Sequence, residues 1–287
     1  MRAIALVLLT LLLGAPVRAA PTPERDRYFV ASDGTRLHYI EAGASFSHTI
    51  VFVPGWTMPA WIFESQIQAL GRSYHVVAFD PRGQGGSAVP NSGYEPIRRG
   101  KDIGELIAQL GAGRVVVVAW SLGVLDTLAF VHTEGDSRLA GLVLVDNSVG
   151  EDPPPPVIPH PPGPARPPLP HAERMRRFVA GMFRTQRGQA YLDRLTRATL
   201  QVPEFAAKAL LAYPLPRTYW REAVYATGRP LLYIVRPRWV PQADTLVRNR
   251  PGTESEIFTE AGHALFVDEA ARFNTIVDRF LRRRVWP

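Results

Sequence analysis

The sequence predicts an α/β fold with a mostly parallel sheet and helices on both of its faces. Segments rich in β-branched residues alternate along the chain with segments of helical periodicity, which is typical of this class. The strand segments 49–54 (TIVFVP) and 114–119 (RVVVVA) are apolar almost throughout, as expected for strands buried on both faces. A chain of 287 residues can form one such domain with an insertion, or two small domains.

Each element has its own signal. The turn residues Asp33-Gly34 predict a hairpin within 28–43, and apolar spacing in 97–110 predicts an amphipathic helix. Further strands are expected at 49–54, 74–80, 114–119, 139–146, 230–235 and 255–260. Further helices are expected at 64–70, after Ser121, around 173–183, 190–200 and 204–213, and at 268–284.

Residues 1–19 have the layout of a secretory signal peptide. Arg2 precedes an apolar run from Ala3 to Leu13, and small residues precede a cleavage site near Ala19. The run is short for a membrane span, so we expect no stable span after cleavage and a secreted or periplasmic protein. The chain has no cysteine, so the mature protein would depend on its core alone.

A proline-rich segment interrupts the alternation at 151–170, where missing N–H groups exclude helices and central strands. Helical segments follow it. We predict a helical, Pro-rich cap insertion at about 147–228 within a domain that spans 20–287. The insertion is interpreted as a lid over the site, and the alternative is a purely structural extension.

Composition argues against several classes of function. The net charge is +7, but the arginines are scattered rather than clustered among aromatics, so we expect no nucleic-acid partner. The sequence has neither the spacing of a metal site nor a glycine-rich phosphate loop, so neither a metal nor a cofactor is expected. The sequence does not indicate the oligomeric state.

The pentapeptide AWSLG at 119–123 fits a strand-turn-helix nucleophile elbow, with Ala119 in place of the first glycine of Gly-x-Ser-x-Gly. Such a turn raises the Ser121 hydroxyl to the carboxyl end of the sheet, where ligands bind in open α/β folds. It also aims the Leu122 N–H at the position of a developing oxyanion. The alternative is that Ser121 only caps the following helix.

Three more segments carry motifs beside predicted strand ends. Gly55-Trp56 follows a strand directly, the loop 80–87 (DPRGQGGS) follows the next strand, and His263 lies between the last strand and the closing helix. With AWSLG, these motifs resemble the α/β-hydrolase superfamily over most of 28–287, and most closely its esterase and cofactor-free haloperoxidase-like branch. The resemblance implies an α/β-hydrolase fold.

The resemblance also implies roles for single residues. Ser121 corresponds to the nucleophile and His263 to the general base, while the backbone N–H groups of Trp56 and Leu122 correspond to the oxyanion hole. Pro54 departs from the histidine that many relatives have before the glycine. Dehalogenase and epoxide-hydrolase branches use an aspartate nucleophile, which the serine at position 121 excludes.

The acid of the triad is less clearly marked. The expected chain order is Ser, acid, His, and most relatives place the acid shortly after the strand 230–235, near Trp239. The first carboxylate after that strand is Asp244. Some branches place the acid at the end of the preceding strand, where this chain has Asp146. We expect Asp146 to be the acid and keep Asp244 as the alternative.

Trp56, Trp120 and Phe266 are expected to line the substrate pocket, which suits an ester with an apolar acyl or aryl group. The leading hypothesis is carboxylic ester hydrolysis through an acyl-enzyme. One alternative uses the same triad for perhydrolysis. Another, based on Ala119, Pro54 and the missing acid after 230–235, is a non-catalytic binding protein with a hydrolase fold.

Overall fold

The computed structural model describes residues 22–111, 113–154 and 169–287. Its strands are β1 Glu24–Val30, β2 Arg36–Ala42, β3 Thr49–Val53, β4 His75–Asp80, β5 Val115–Trp120, β6 Leu139–Val145, β7 Leu231–Val235 and β8 Thr253–Ile257. They form one sheet in the order β1-β2-β4-β3-β5-β6-β7-β8. The pairs β1-β2 and β2-β4 are antiparallel, and all later pairs are parallel. The predicted α/β class with a mostly parallel sheet is confirmed.

The helices follow the strands in alternation. They are α1 Glu64–Leu70, α2 Pro96–Gln109, α3 Leu122–Glu134, α4 His171–Gly181, α5 Gln189–Gln201, α6 Glu204–Leu210, α7 Arg217–Ala226, α8 Val240–Asn249, α9 Leu265–Asp268 and α10 Ala270–Phe280. A 3-10 helix precedes α1 at Ala60–Phe63, another precedes α8 at Pro237–Trp239, and a π-helical turn, Leu281–Val285, follows α10. Of the described helices, none has the length and hydropathy needed to span a membrane.

The sheet separates two apolar layers. Alternate residues of β5 enter opposite layers: Val115, Val117 and Ala119 pack with one layer, and Val116, Val118 and Trp120 with the other. Residues of α2, α3, α7 and α8 complete the first layer, while α1 and α10 contribute to the second. The absence of polar alternation in β5 thus reflects burial on both faces.

Among the differences between prediction and structure, one concerns a strand and one a helix. The strand expected at 255–260 is β8 Thr253–Ile257, an edge strand whose mostly polar sequence, TESEI, is only partly buried. Helix α7 was not predicted from the sequence. It buries Trp220, Ala223 and Val224, which share one helical face, and it packs against α3 in the main helical layer.

Helices α4–α7 lie between β6 and β7 in the chain, within the predicted insertion at 147–228. Residues 155–168 of the proline-rich segment lie outside the described residues, as does the predicted signal peptide at 1–19. The signal peptide and the exported location therefore stay predictions.

Candidate active site

Ser121 lies in a sharp turn between β5 and α3. Its backbone has φ 54° and ψ −121°, a region that a non-glycine residue adopts only when its surroundings hold it there. A side chain at Gly123 would place Cβ 2.6 Å from the carbonyl oxygen of Val53, and one at Gly55 would place Cβ 3.0 Å from Cβ of Ser121. Glycines therefore allow the serine turn and the end of β3 to lie in contact.

His263 lies after β8 and directly before α9. Its Nε2 is 2.9 Å from Oγ of Ser121, and its Nδ1 is 2.6 Å from Oδ2 of Asp146. With the ring proton on Nδ1, Asp146 accepts a hydrogen bond from Nδ1–H, and Nε2 accepts a hydrogen bond from the serine hydroxyl. Trp120 supports the loop from below, since its Nε1–H donates to the His263 carbonyl oxygen at 2.9 Å.

Asp146 follows β6 at the same edge of the sheet as Ser121. Its backbone also has a positive φ, 50°, and its N–H donates to the carbonyl oxygen of Ile234. The carboxylate is fully buried and accepts two hydrogen bonds from Arg236, from the backbone N–H at 3.1 Å and from Nε–H at 2.6 Å. Both carboxylate oxygens are thereby held in place beside His263.

The structure brings together three of the four candidates for the triad, Ser121, His263 and Asp146. Asp244 lies apart from them. It is exposed within α8, and no hydrogen bond joins it to His263 in the described part of the chain. It lies in the middle of α8 rather than at either end.

The two backbone groups expected to form the oxyanion hole lie on either side of Ser121. Leu122 is the first residue of α3, and Trp56 follows Gly55, which touches the serine turn. Within residues 22–111, 113–154 and 169–287, neither N–H has a hydrogen-bond acceptor. Both groups therefore stay candidates for the donors of the predicted oxyanion hole.

The predicted pocket aromatics are mostly core residues. Phe266 is fully buried against Phe63, Trp120 and Phe273, and Trp120 is 1% exposed beneath His263. Both were expected in the pocket, but their side chains support the site from behind because they enter the layer between the sheet and α10. Trp56 is partly exposed, donates through Nε1 to the carbonyl oxygen of Ala207 and packs edge-on against Phe178.

An open cleft of about 590 Å³ lies over the serine. Its lining comprises Ser121, Asp146, Asn147, Arg177, Phe178, Gly181, Met182, Arg236, Arg238, Trp239 and His263. Helix α4 forms part of this wall, so the segment between β6 and β7 contributes directly to the site. In the described part of the chain, no cluster of three His, Asp or Glu residues is arranged to hold a metal ion.

Sequence reasoning missed two polar residues beside the triad. Asn147 donates from Nδ2 to the Ser121 carbonyl oxygen at 2.8 Å, which ties the end of β6 to the serine turn. Arg236 contacts Asp146, and its Nη2 lies 3.5 Å from Nδ1 of His263. Their positions directly after β6 and β7 could have identified them from the sequence, because the carboxyl ends of parallel strands lie at the same edge of the sheet.

Asp268 is a third residue that the sequence did not single out. Its buried carboxylate accepts the N–H of Gly262 at 2.7 Å and the N–H of Arg184 at 2.8 Å. It also accepts the Thr185 hydroxyl at 2.5 Å and the Arg187 guanidinium at 2.9 Å. This carboxylate joins the residue before His263 to the connection between α4 and α5.

Comparison with known proteins gives partial sequence matches and whole-fold matches. A non-heme haloperoxidase from Rhodococcus erythropolis is 34% identical over 119 residues, which are 41% of this chain and 43% of that protein. A soluble epoxide hydrolase from Corynebacterium sp. (strain C12) is 30% identical over 104 residues, 36% of each chain. The matches thus span less than half the length of these curated relatives.

The fold match is more extensive. The crystal structure of an esterase from Rhodococcus sp. ECU1013 superposes with a TM-score of 0.75 at 20% identity, covering 90% of this chain and 99% of that one. At that identity the likeness concerns the fold alone. The model of a family described as the alpha/beta hydrolase family matches residues 50–276.

Proposed function

The chain belongs to the α/β-hydrolase family, and from this premise we propose that it is a serine hydrolase that cleaves carboxylic esters. The observation that supports the proposal most directly is the chain of hydrogen bonds from Ser121 through His263 to Asp146. A nucleophile, a base and an orienting acid within hydrogen-bond distance are what acyl transfer requires.

In the first step, Nε2 of His263 takes the Ser121 hydroxyl proton while Oγ attacks the ester carbonyl carbon. The carbonyl oxygen becomes an oxyanion that accepts hydrogen bonds from the backbone N–H groups of Trp56 and Leu122. Asp146 stabilises the imidazolium that forms. The tetrahedral intermediate then breaks its bond to the alcohol oxygen, which leaves as the alcohol with the proton from His263.

In the second step, water replaces the alcohol. His263 takes a proton from the water, whose oxygen attacks the acyl-enzyme carbonyl, and the second tetrahedral intermediate releases the carboxylic acid. The proton returns to Oγ of Ser121, so the cycle needs no external reagent besides water. Phe178, Met182 and Trp239 supply the apolar part of the cleft wall against which an acyl or aryl group would lie.

Substitution of the serine tests the proposal. We expect Ser121→Ala to lower kcat for a short aryl ester by at least about 10⁴-fold and to abolish labelling by a fluorophosphonate, because the attacking oxygen is gone. Ser148→Ala is the matched control: this serine lies near the same edge, but its hydroxyl donates to Gln242. Hydrolysis by Ser121→Ala at the wild-type rate would refute the assignment. Failure of the wild-type protein to react with the probe would instead favour a non-catalytic binding protein.

The haloperoxidase among the relatives supports a second candidate, perhydrolysis with the same three residues. Hydrogen peroxide would then replace water as the group that attacks the acyl-enzyme, and the product would be a peracid. Rates of peracid formation from acetate and peroxide, measured beside ester hydrolysis by the same preparation, separate the two candidates. Ester hydrolysis is the stronger proposal because it needs no second substrate besides water.

A further inference from the structure

Cationic side chains line much of the cleft over Ser121. Arg177, Arg236 and Arg238 all contribute to its wall, and the acidic group there is Asp146. We infer that Arg177 and Arg238 form a subsite for a carboxylate, so that the substrate is an ester with a carboxylate on its acyl or alcohol part. This inference rests on the proposed ester hydrolysis, because it names the substrate class of that site.

Arg236 already forms an ion pair within the protein. Its guanidinium pairs with the buried carboxylate of Asp146, so those two charges largely cancel. Asp146 also accepts the Nδ1–H of His263. Neither Arg236 nor Asp146 therefore determines the net charge that a ligand in the cleft meets, which depends on the two remaining arginines.

Arg238 is the principal candidate for contact with an anion. It lies in the 3-10 turn after β7, and no acidic side chain of the described residues forms an ion pair with it. Its guanidinium carbon lies 4.9 Å from the ring centroid of Trp239, which also lines the cleft. Contact with an aromatic face restricts a guanidinium while leaving its N–H donors available for a carboxylate.

Arg177 supplies the second cation from α4. Its Nε–H donates to Glu173 at 2.9 Å, but Glu173 also pairs with Arg176 and does not line the cleft. One carboxylate shared between two guanidiniums leaves the pair with a positive charge. The side chain of Arg177 is 66% exposed, so it can turn toward a ligand at small cost.

The distribution of charge along the chain agrees with an anionic ligand. Residues 169–229, which contain α4–α7, carry eleven lysines and arginines against four aspartates and glutamates. This stretch alone therefore has a net charge of +7, equal to that of the whole chain. Arg177, one of these cations, lines the cleft, and positive charge at a cleft raises the local concentration of anions and speeds their encounter with the site.

The charge balance favours a monoanion. With Asp146 neutralised by Arg236, and Arg177 partly neutralised by Glu173, Arg238 is the one fully uncompensated cation of the cleft wall, and only part of the Arg177 charge adds to it. A carboxylate matches that charge and accepts two parallel N–H bonds from a guanidinium. A phosphate monoester, with close to two negative charges, would need a further cation.

Binding to a variant that cannot turn over tests the subsite. The full-length Ser121→Ala protein is titrated by calorimetry with 4-acetoxybenzoate and with its neutral methyl ester. We expect the acid to bind about tenfold more tightly, as a charge-assisted hydrogen bond predicts, and this preference to weaken in 0.5 M NaCl. Addition of Arg238→Gln or Arg177→Gln should reduce the ratio of the two dissociation constants toward one.

Arg176→Gln is the matched control, because Arg176 is adjacent in α4, pairs with the same Glu173 and does not line the cleft. The ratio should stay at the value of the Ser121→Ala protein. Equal affinity for acid and methyl ester would overturn the inference, as would a preference that survives both cleft substitutions. Phenyl phosphate binding tenfold more tightly than the carboxylate would overturn the assigned class.

The same ligands separate this inference from the proposed function. Wild-type protein that hydrolyses both esters without a preference would leave ester hydrolysis standing and remove the subsite. Tight, arginine-dependent binding of the acid together with no hydrolysis of either ester would keep the subsite and remove the function.

Discussion

Asp146 shares its carboxylate between His263 and Arg236, and this sharing is the main feature of the site at the scale of single residues. Oδ2 lies 2.6 Å from both Nδ1 of His263 and Nε of Arg236. An acid that only oriented the histidine would not need a second cation. Arg236 holds the buried carboxylate in one position, so it acts as a positioning residue for the proposed triad.

Removal of the Asp146 charge should therefore affect catalysis far more than removal of the Asp244 charge. We expect Asp146→Asn to lower kcat for an aryl ester by about 10³- to 10⁴-fold, because an amide can hold His263 in the wrong tautomer. Asp244→Asn should stay within about twofold of the wild-type rate, because its side chain is exposed on α8. The measurement is steady-state kinetics, with circular dichroism to check folding. Equal losses in the two variants would contradict the assignment of the acid.

At the scale of elements, Asp268 connects the loop that carries His263 to the connection between α4 and α5. Burial of this carboxylate raises its pKa, but the N–H of Arg184, the guanidinium of Arg187, the hydroxyl of Thr185 and the N–H of Gly262 outweigh burial and lower the pKa to about 2. A folded-state pKa below the unfolded value of 3.8 means that the ionised group stabilises the folded protein. This contribution is complete above pH 4 and is lost as the pH falls toward 2.

We expect Asp268→Asn to lower the free energy of unfolding by about 1 to 3 kcal/mol at pH 7, since it removes charge-assisted hydrogen bonds. The difference from wild type should shrink as the pH falls from 4 to 2. Urea unfolding at a series of pH values measures it. Asp193→Asn, at an exposed position of α5, is the control and should stay within about 0.5 kcal/mol of wild type at pH 7. A deficit of Asp268→Asn that does not change with pH would contradict this account.

At the scale of the whole molecule, the antiparallel side of the sheet is held by a buried histidine. His38 in β2 has Nδ1 2.7 Å from Asp80 at the end of β4 and Nε2 3.0 Å from Asp26 in β1. Burial lowers the pKa of His38, but hydrogen bonds and charge attraction from Asp80 and Asp26 prevail and raise it. Both ring nitrogens can donate to carboxylates only in the imidazolium form.

This raised pKa gives stability a definite dependence on pH. The contribution of His38 is complete below the unfolded pKa of 6.5 and is lost as the pH rises through the higher folded-state value. We expect His38→Asn to destabilise the protein more at pH 5.5 than at pH 8.5, by about 1 to 3 kcal/mol at the lower pH. Chemical unfolding at both pH values measures this. His171→Asn on α4 is the control, and a deficit of His38→Asn that grows with pH would contradict the prediction.

Much of the architecture could be predicted because its causes are local in the sequence. A few neighbouring residues are enough to predict apolar strands such as β5, the amphipathic helix α2 and the hairpin that joins β1 and β2. Helix α7 was not predicted, although Trp220, Ala223 and Val224 have the spacing of one helical face, because so short a helix is stabilised mainly by its packing, here against α3. The placement of Trp120 and Phe266 in the pocket could not be predicted correctly for a related reason. The sequence does not indicate on which face of a loop or strand an aromatic ring packs.

The sequence by itself determined the parallel sheet, the serine turn and the order in which Ser121, Asp146 and His263 follow the strands. Runs of β-branched residues predict the strands, and small residues predict the serine turn, each within a stretch of a few residues. Only the tertiary structure decided that Asp146, not Asp244, reaches His263, and that Arg236, Asp268 and the arginines of the cleft surround them. The contacts of Asp146 with His263 and Arg236, and that of Asp268 with Arg184, join residues 84 to 117 positions apart, and their distances depend on how strand ends and helices pack.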